Sequence, residues 1–211
     1  ASSLPSSSTI LLILLSLVVA LCITAPGQLV GAADEDPLQD FCVADANTAA
    51  PITINGRTCK PADKVTAQDF TSTLLRAASP STYDSSYTNG SKAANVTLAS
   101  VANFAGLNTL GLSIARIDFP PNGGLNPPHV HPRASEIIYV IAGEVEVGLI
   151  DTSGKFFNAT LFPGDLFVFP RGLIHYQSSV PSCTSLSLSA LNSQNPGLSL
   201  VASALFGSTP G

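Results

Sequence analysis

His129 and His131 stand two apart in GLNPPHVHPRASE, Glu136 follows five residues later, and His175, the remaining histidine of the chain, closes FPRGLIH. Three imidazoles and one carboxylate form a donor set for a first-row metal ion, and no cysteine lies beside them in sequence to make a thiolate site. Any one of these histidines could be a satisfied core or turn residue; the joint pattern points to metal. On an extended segment residues two apart project from one face, so His129 and His131 can reach a single ion. Glu136 has the wrong parity for an unbroken strand after His131, so Pro132-Arg133-Ala134 must bend or bulge the chain to return the carboxylate to that face. His175 comes from another strand, after the tight Pro170-Arg171-Gly172 turn, and closes the site across the sheet. Four such ligands leave room for one or two waters around six-coordinate manganese, iron or nickel, with zinc also compatible.

The elements that must hold these groups read as strands. Leu110, Leu112 and Ile114 alternate with Gly111, Ser113 and Ala115, the period of a sheet with two unlike faces. Strands are expected at 110–119, 128–131, 136–142, 144–150, 156–161, 166–169, 174–178, 185–190 and 198–205. Gly123-Gly124, Gly143, Ser153-Gly154, Pro163-Gly164, Pro170-Arg171-Gly172 and Asn195-Pro196-Gly197 punctuate them as turns. Short strands at close intervals without crossover helices predict an antiparallel sandwich or barrel. Upstream, one short helix is expected over 67–78, with Phe70, Leu74 and Leu75 on a shared face and Pro80 beyond its end. Residues 79–92 read as a polar loop.

Composition sets the surroundings. The apolar run 10–25 spans roughly 16 residues, about 24 Å as a helix, which is short for a membrane span and suits the core of a signal peptide covering 1–32. Residues 33–94 then form an irregular arm and loop, and 95–211 the strand-rich domain. Nine basic against fourteen acidic residues give a net charge of -5, which argues against nucleic acid as a partner. In a secreted, oxidising setting Cys42 is expected to pair with Cys59, closing a loop of about 17 residues and stabilising the fold by about 3 kcal/mol. With Cys22 leaving in the signal segment, Cys183 is left as the odd thiol, buried and inert or paired between chains. Three sequons, at Asn89, Asn95 and Asn158, accord with a secretory route, Asn158 least so because it falls in or beside a strand.

The stretch Gly123-x5-His129-x-His131-x4-Glu136-x6-Gly143 resembles the first germin box of the cupins, and Gly164-Asp165-Leu-Phe-Val-Phe-Pro-Arg-Gly-Leu-Ile-His175 resembles the second. The similarity extends through QDFCVAD, NTLGLSIARIDF and SQNPGLSLVASALFGS. The chain is thereby identified as a member of the germin-like proteins. This resemblance implies a cupin β-jelly-roll that binds manganese through His129, His131, Glu136 and His175 and is secreted to the apoplast or cell wall. It also implies redox activity on a small anion. Germins themselves oxidise oxalate, many germin-like relatives dismutate superoxide, and some bind ligands or inhibit proteases.

Three departures refine that expectation. Of two asparagines that line the substrate position in oxalate-oxidising germins, Asn126 matches one, but Ala115 stands at the other. A lost hydrogen-bond partner to a charged group costs roughly 1.5 to 3 kcal/mol. Superoxide dismutation is therefore the leading expectation, with Asn126 as a supporting donor near the metal. Oxalate oxidation is second, and a non-catalytic ligand-binding wall protein is third. Ser179 replaces the asparagine that usually closes the second box, which should retune packing without loss of metal. By analogy with the family Arg133 is expected either to guard the mouth or to be a simple surface residue. The family's C-terminal helices, which clasp subunits into a hexamer, do not follow Gly211 here, so the expectation is either a truncated sequence or a less firm assembly, a dimer or a weakened hexamer.

Overall fold

Strand alternation builds most of the molecule. The computed structural model describes residues 39–45, 56–77, 93–121, 124–180 and 184–207, so the proposed signal segment, Asn89 and Cys183 lie outside the described residues. Among the described residues ten strands occur: β1 Asn95–Ala99, β2 Ser113–Phe119, β3 Leu125–Val130, β4 Glu136–Ala142, β5 Val145–Ile150, β6 Phe156–Leu161, β7 Leu166–Phe169, β8 Ile174–Ser179, β9 Ser185–Leu191 and β10 Ser199–Leu200. They form two five-stranded sheets, ordered β1-β2-β9-β4-β7 and β10-β3-β8-β5-β6, with every strand pair antiparallel. From β2 to β5 and from β6 to β10 consecutive strands alternate between sheets, while β1–β2 and β5–β6 are neighbours within one sheet, as in a jelly-roll. One apolar cluster draws Ile117, Ile138 and Val140 from the first sheet and Val145 and Val147 from the second. Each such side chain contributes about 1.5 to 3 kcal/mol on full burial.

The expected boundaries shift where backbone chemistry overrides side-chain period. The strand expected from Leu110 begins at Ser113, because Thr109 and Gly111 adopt positive φ of 66° and 65° and break the extended run. β1 was not among the expected strands. At the far end, the strand expected over 198–205 is a two-residue pairing, Ser199 with Val130 and Leu200 with His129, followed by a short helix, Val201–Phe206. The next ladder partners would be Pro128 and Pro127, which have no N–H to donate, so the pairing stops. The helix expected over 67–78 is two 3-10 turns, Ala67–Phe70 and Leu74–Arg76. Asp69 accepts from the Thr66 backbone N–H to start the first turn, and the hydroxyls of Thr71 and Ser72 then engage nearby backbone, Thr71 Oγ1 donating to Ala67 O at 2.9 Å and Ser72 Oγ accepting from Leu74 N–H at 3.3 Å.

The Cys42–Cys59 disulfide is present, flanked by Asp45 N–H to Thr58 O and Lys60 N–H to Val43 O. Buried Asn108 fastens this arm: its Oδ1 accepts from Arg57 N–H and its Nδ2 donates to Arg57 O, both at 2.9 Å.

Candidate metal centre

β3 and β8 are neighbours, and His129 and His175 face each other in their register. The Pro127-Pro128 pair shifts that register between Asn126 and His129, so the strand is kinked where the first imidazole enters. His131 lies just past the end of β3. The turn at Pro132-Arg133 then does more than correct parity: it carries the chain to the opposite sheet, where Glu136 opens β4. The carboxylate therefore approaches the three imidazoles from across the barrel, and not from their own sheet as the sequence reading expected.

The four residues converge. One ligand atom from each of His129, His131, Glu136 and His175 lies within 4.8 Å of the others, close enough to share one metal ion. His129, Glu136 and His175 are almost fully buried, and His131 is partly so. The Nδ1 atoms are all engaged by backbone carbonyls: His129 with Pro127 O at 2.7 Å, His131 with Gly197 O at 2.6 Å and His175 with Leu173 O at 2.8 Å. A carbonyl oxygen only accepts, so each Nδ1 carries the ring proton and each Nε2 keeps its lone pair for the centre. Phe169 stacks on the His175 ring at 4.4 Å and fixes its plane.

Glu136 is divided in the same way. Its Oε1 accepts from Ser189 Oγ at 2.6 Å and from Gln177 Nε2 at 3.2 Å. Its Oε2 lies 3.0 Å from His131 Nε2 and 3.4 Å from His175 Nε2 but is aligned with neither as a hydrogen bond, and both Oε2 and His175 Nε2 are buried without a partner. Buried groups left unpaired cost about 1 to 3 kcal/mol each, more when charged, and a cation at the centre removes that cost. The donor set thus fits a metal ion.

The electrostatics agree. Burial, reinforced by repulsion from His175, pushes the His129 imidazole down to about 3, so it is neutral at any physiological pH. Burial would also raise Glu136, but its contacts with His131, His175 and Ser189 outweigh this and hold the carboxyl well below the usual range. For His131, burial disfavours charge, yet the Glu136 carboxylate and the Gly197 carbonyl prevail and raise its pKa.

Gln177 and Ser189 are functional neighbours that the sequence reading missed. The signal was available in the alternation of IHYQSS and SLSLSAL, which sets Gln177 on the face of His175 and turns the β9 serines inward. Asn126 Nδ2 donates to Gln177 Oε1 at 2.6 Å. Because an ionised Glu136 can only accept, the direction of this amide chain is fixed, and Asn126 Oδ1 is left without a protein partner. Asn126, His129, His131 and Glu136 line a cavity of about 350 Å³ whose remaining wall is mostly apolar, including Ala115, Ile117 and Leu198. Arg133 does not line this cavity; it donates from Nε to Asn195 O at 2.7 Å and so pins the loop whose Gly197 carbonyl holds His131. Ser179 does the packing work expected of it, accepting from Gly124 N–H and donating to Pro120 O.

With this geometry in place, comparison with known proteins is decisive about kinship. The cupin family profile matches residues 79–211. Germin-like protein subfamily 2 member 4 of Arabidopsis thaliana is 49% identical over 178 residues, covering 84% of this chain and 76% of its own. The chain belongs to the germin-like proteins of the cupin family. Germin-like protein 1-3 of Oryza sativa subsp. japonica is 44% identical over 201 residues, covering 94% of this germin-like chain and 85% of its own. Among solved structures, an oxalate oxidase superposes with a TM-score of 0.74 at 42% identity, covering 84% of this chain and 86% of that one. Peruvianin-I, a cysteine peptidase from Thevetia peruviana latex, superposes with a TM-score of 0.70 at 37% identity, covering 80% and 98%. Among the described residues this germin-like chain has no free thiol for peptidase chemistry, since Cys42 and Cys59 are joined.

Proposed function

We propose that this germin-like protein is a secreted, manganese-dependent oxidoreductase acting on superoxide. The observation that carries the reading is the convergence of three Nε2 lone pairs and one free carboxylate oxygen on a buried point beside a cavity. His129, His131, Glu136 and His175 would hold the ion, which when bound supplies one-electron chemistry in both directions. A nitrogen-rich set with one hard oxygen accommodates manganese or iron, and the tethered Nδ1 protons keep the imidazoles oriented and basic.

The surrounding residues do the rest. Gln177 and Ser189 keep Glu136 Oε1 occupied, so that Oε2 faces the centre. Asn126 Oδ1 accepts from a proton-bearing group in the cavity, such as a water or a peroxide product. The apolar wall limits the number of waters that compete with a small anion, which strengthens its attraction to the centre. No side-chain nucleophile is needed.

Oxalate oxidation is the second reading, favoured by the 42% identity to an oxalate oxidase. Ala115 weakens it, because a methyl group lines the cavity where an amide could meet a carboxylate. Purified protein analysed for metal content and assayed with superoxide and with oxalate separates the two. Manganese-dependent loss of superoxide without peroxide from oxalate supports the proposal; peroxide formed from oxalate favours the second reading; metal without either activity favours a ligand-binding wall protein.

A further inference from the structure

The outer face of the second sheet carries an aromatic platform that the metal centre does not use. Phe156 on β6 and Tyr176 on β8 lie nearly parallel, with an interplanar angle of 10°. Between them β5 has Gly148, and its lack of a side chain is a steric requirement: a Cβ there would come within 2.3 Å of the Tyr176 ring and 2.8 Å of the Phe156 ring. Tyr176 is further fixed by its hydroxyl, which donates to Glu146 Oε1 at 2.7 Å. Phe156 nevertheless leaves 50% of its surface open.

Asn158 sits directly opposite Gly148 in the β5–β6 register, so it shares a cross-strand row with the glycine over which both rings lie. Phe156, Asn158 and Thr160 alternate along β6, all exposed and all on the outward face. β6 is the edge of its sheet, and among the described residues no strand pairs with its outer rim. A sequon in a central strand would be a poor acceptor; this one has an open flank, and an aromatic ring two residues before the asparagine. A sugar ring presents a face of C–H groups that packs on the negative face of an aromatic ring.

We propose that Asn158 carries an N-linked glycan whose first sugars lie on Phe156, covering the platform and shielding the β6 edge. This rests on the secretory part of the functional reading and is independent of the metal. The donor is a polyprenyl-diphosphate oligosaccharide. The amide nitrogen of Asn158 forms a bond to C1 of its reducing-end sugar, the C1–O bond to the diphosphate breaks, the diphosphate leaves with the electron pair, and the amide gives up one proton. The sequon hydroxyl is that of Thr160. Once attached, the glycan blocks strand addition at β6, a use of bulk and polarity that serves the same end as edge lysines or prolines.

The test uses the full chain secreted from a eukaryotic host behind the host's own leader. Trypsin cleaves after Lys155 and Arg171, so peptide 156–171 contains Asn158 as its one acceptor; peptide 93–116 isolates Asn95 as a control for passage through the pathway. Expected is sugar on peptide 156–171, removed by peptide N-glycosidase with conversion of Asn158 to Asp and absent in Thr160→Ala. Expected also is a melting temperature higher than that of Asn158→Gln, a difference that disappears in the Phe156→Ala background and returns in Phe156→Tyr. An unmodified peptide 156–171 overturns the proposal, and sugar on peptide 93–116 then shows that secretion stands without it. A modified Asn158 whose stabilising effect is the same with Phe156→Ala overturns the seat on the ring.

Discussion

The four-residue cluster and the N-terminal arm are attached to the same barrel by different means. Around the cluster, orientation comes from strand register and from backbone carbonyls. His129 and His175 are paired across β3 and β8, all three Nδ1 atoms are tethered, and Glu136 Oε1 is filled from two directions. The arm is held by a short bridge between Ala44 and Cys59, a disulfide, the Ala44 N–H to Ala105 O bond and the Asn108 clasp on Arg57. The contrast teaches that metal affinity and resistance to unfolding are separable here: perturbing the cluster should change what is bound, and perturbing the arm should change when the protein melts.

The largest effect is expected at the cluster. His131→Ala removes one Nε2 and the anchor of the Gly197 loop, so metal per chain measured by elemental analysis should fall to a small fraction of wild type, with all metal-dependent activity lost. Unchanged metal content would break the comparison on that side. Gln177→Leu leaves the ligands in place but removes one of the two donors to Glu136 Oε1, leaving Ser189, and takes the acceptor from Asn126 Nδ2. Chelator competition should show metal affinity weakened roughly 10- to 100-fold with the far-ultraviolet spectrum intact.

On the arm, the double variant Cys42→Ala/Cys59→Ala should lower stability by about 3 kcal/mol in denaturant titration, while metal content at temperatures below the transition stays at the wild-type level. Loss of metal in this variant would show that the two regions are coupled. The smallest effect is expected from Asp69, whose carboxyl is held below its ordinary value chiefly by the Lys60 ammonium and by the Thr66 N–H. A depressed folded-state pKa contributes stability above the ordinary carboxylate range and loses it as pH falls through the lower folded value. Asp69→Asn should therefore flatten the acid limb of the melting curve slightly and leave the neutral region almost unchanged.

Much of this was legible in the sequence, for identifiable reasons. His129-x-His131, Glu136 and His175 could be grouped because few residue types bind metal and the chain has no other histidines. The strands from β4 through β9 could be located because inward apolar residues alternate with outward ones between glycine and proline turns. Side-chain period failed where it had to compete with backbone chemistry. Positive φ at Thr109 and Gly111 cut short the front of β2, the missing N–H groups of Pro127 and Pro128 ended β10 after two residues, and hydroxyl groups at Thr71 and Ser72 stopped the 67–78 helix. The side from which Glu136 arrives was not legible, because a parity argument concerns one strand and the Pro132-Arg133 turn changes sheets. Gln177 and Ser189 went unnoticed because their chemistry is ordinary until Glu136 is placed beside them.

The central claim is that the four side chains share one cation. A crystal of the protein purified without added metal, with diffraction recorded on both sides of the manganese absorption edge, tests it most directly. The account predicts one anomalous peak within bonding distance of His129 Nε2, His131 Nε2, His175 Nε2 and Glu136 Oε2. An empty centre after purification and after soaking in manganese, or a peak bound by other residues, would contradict it.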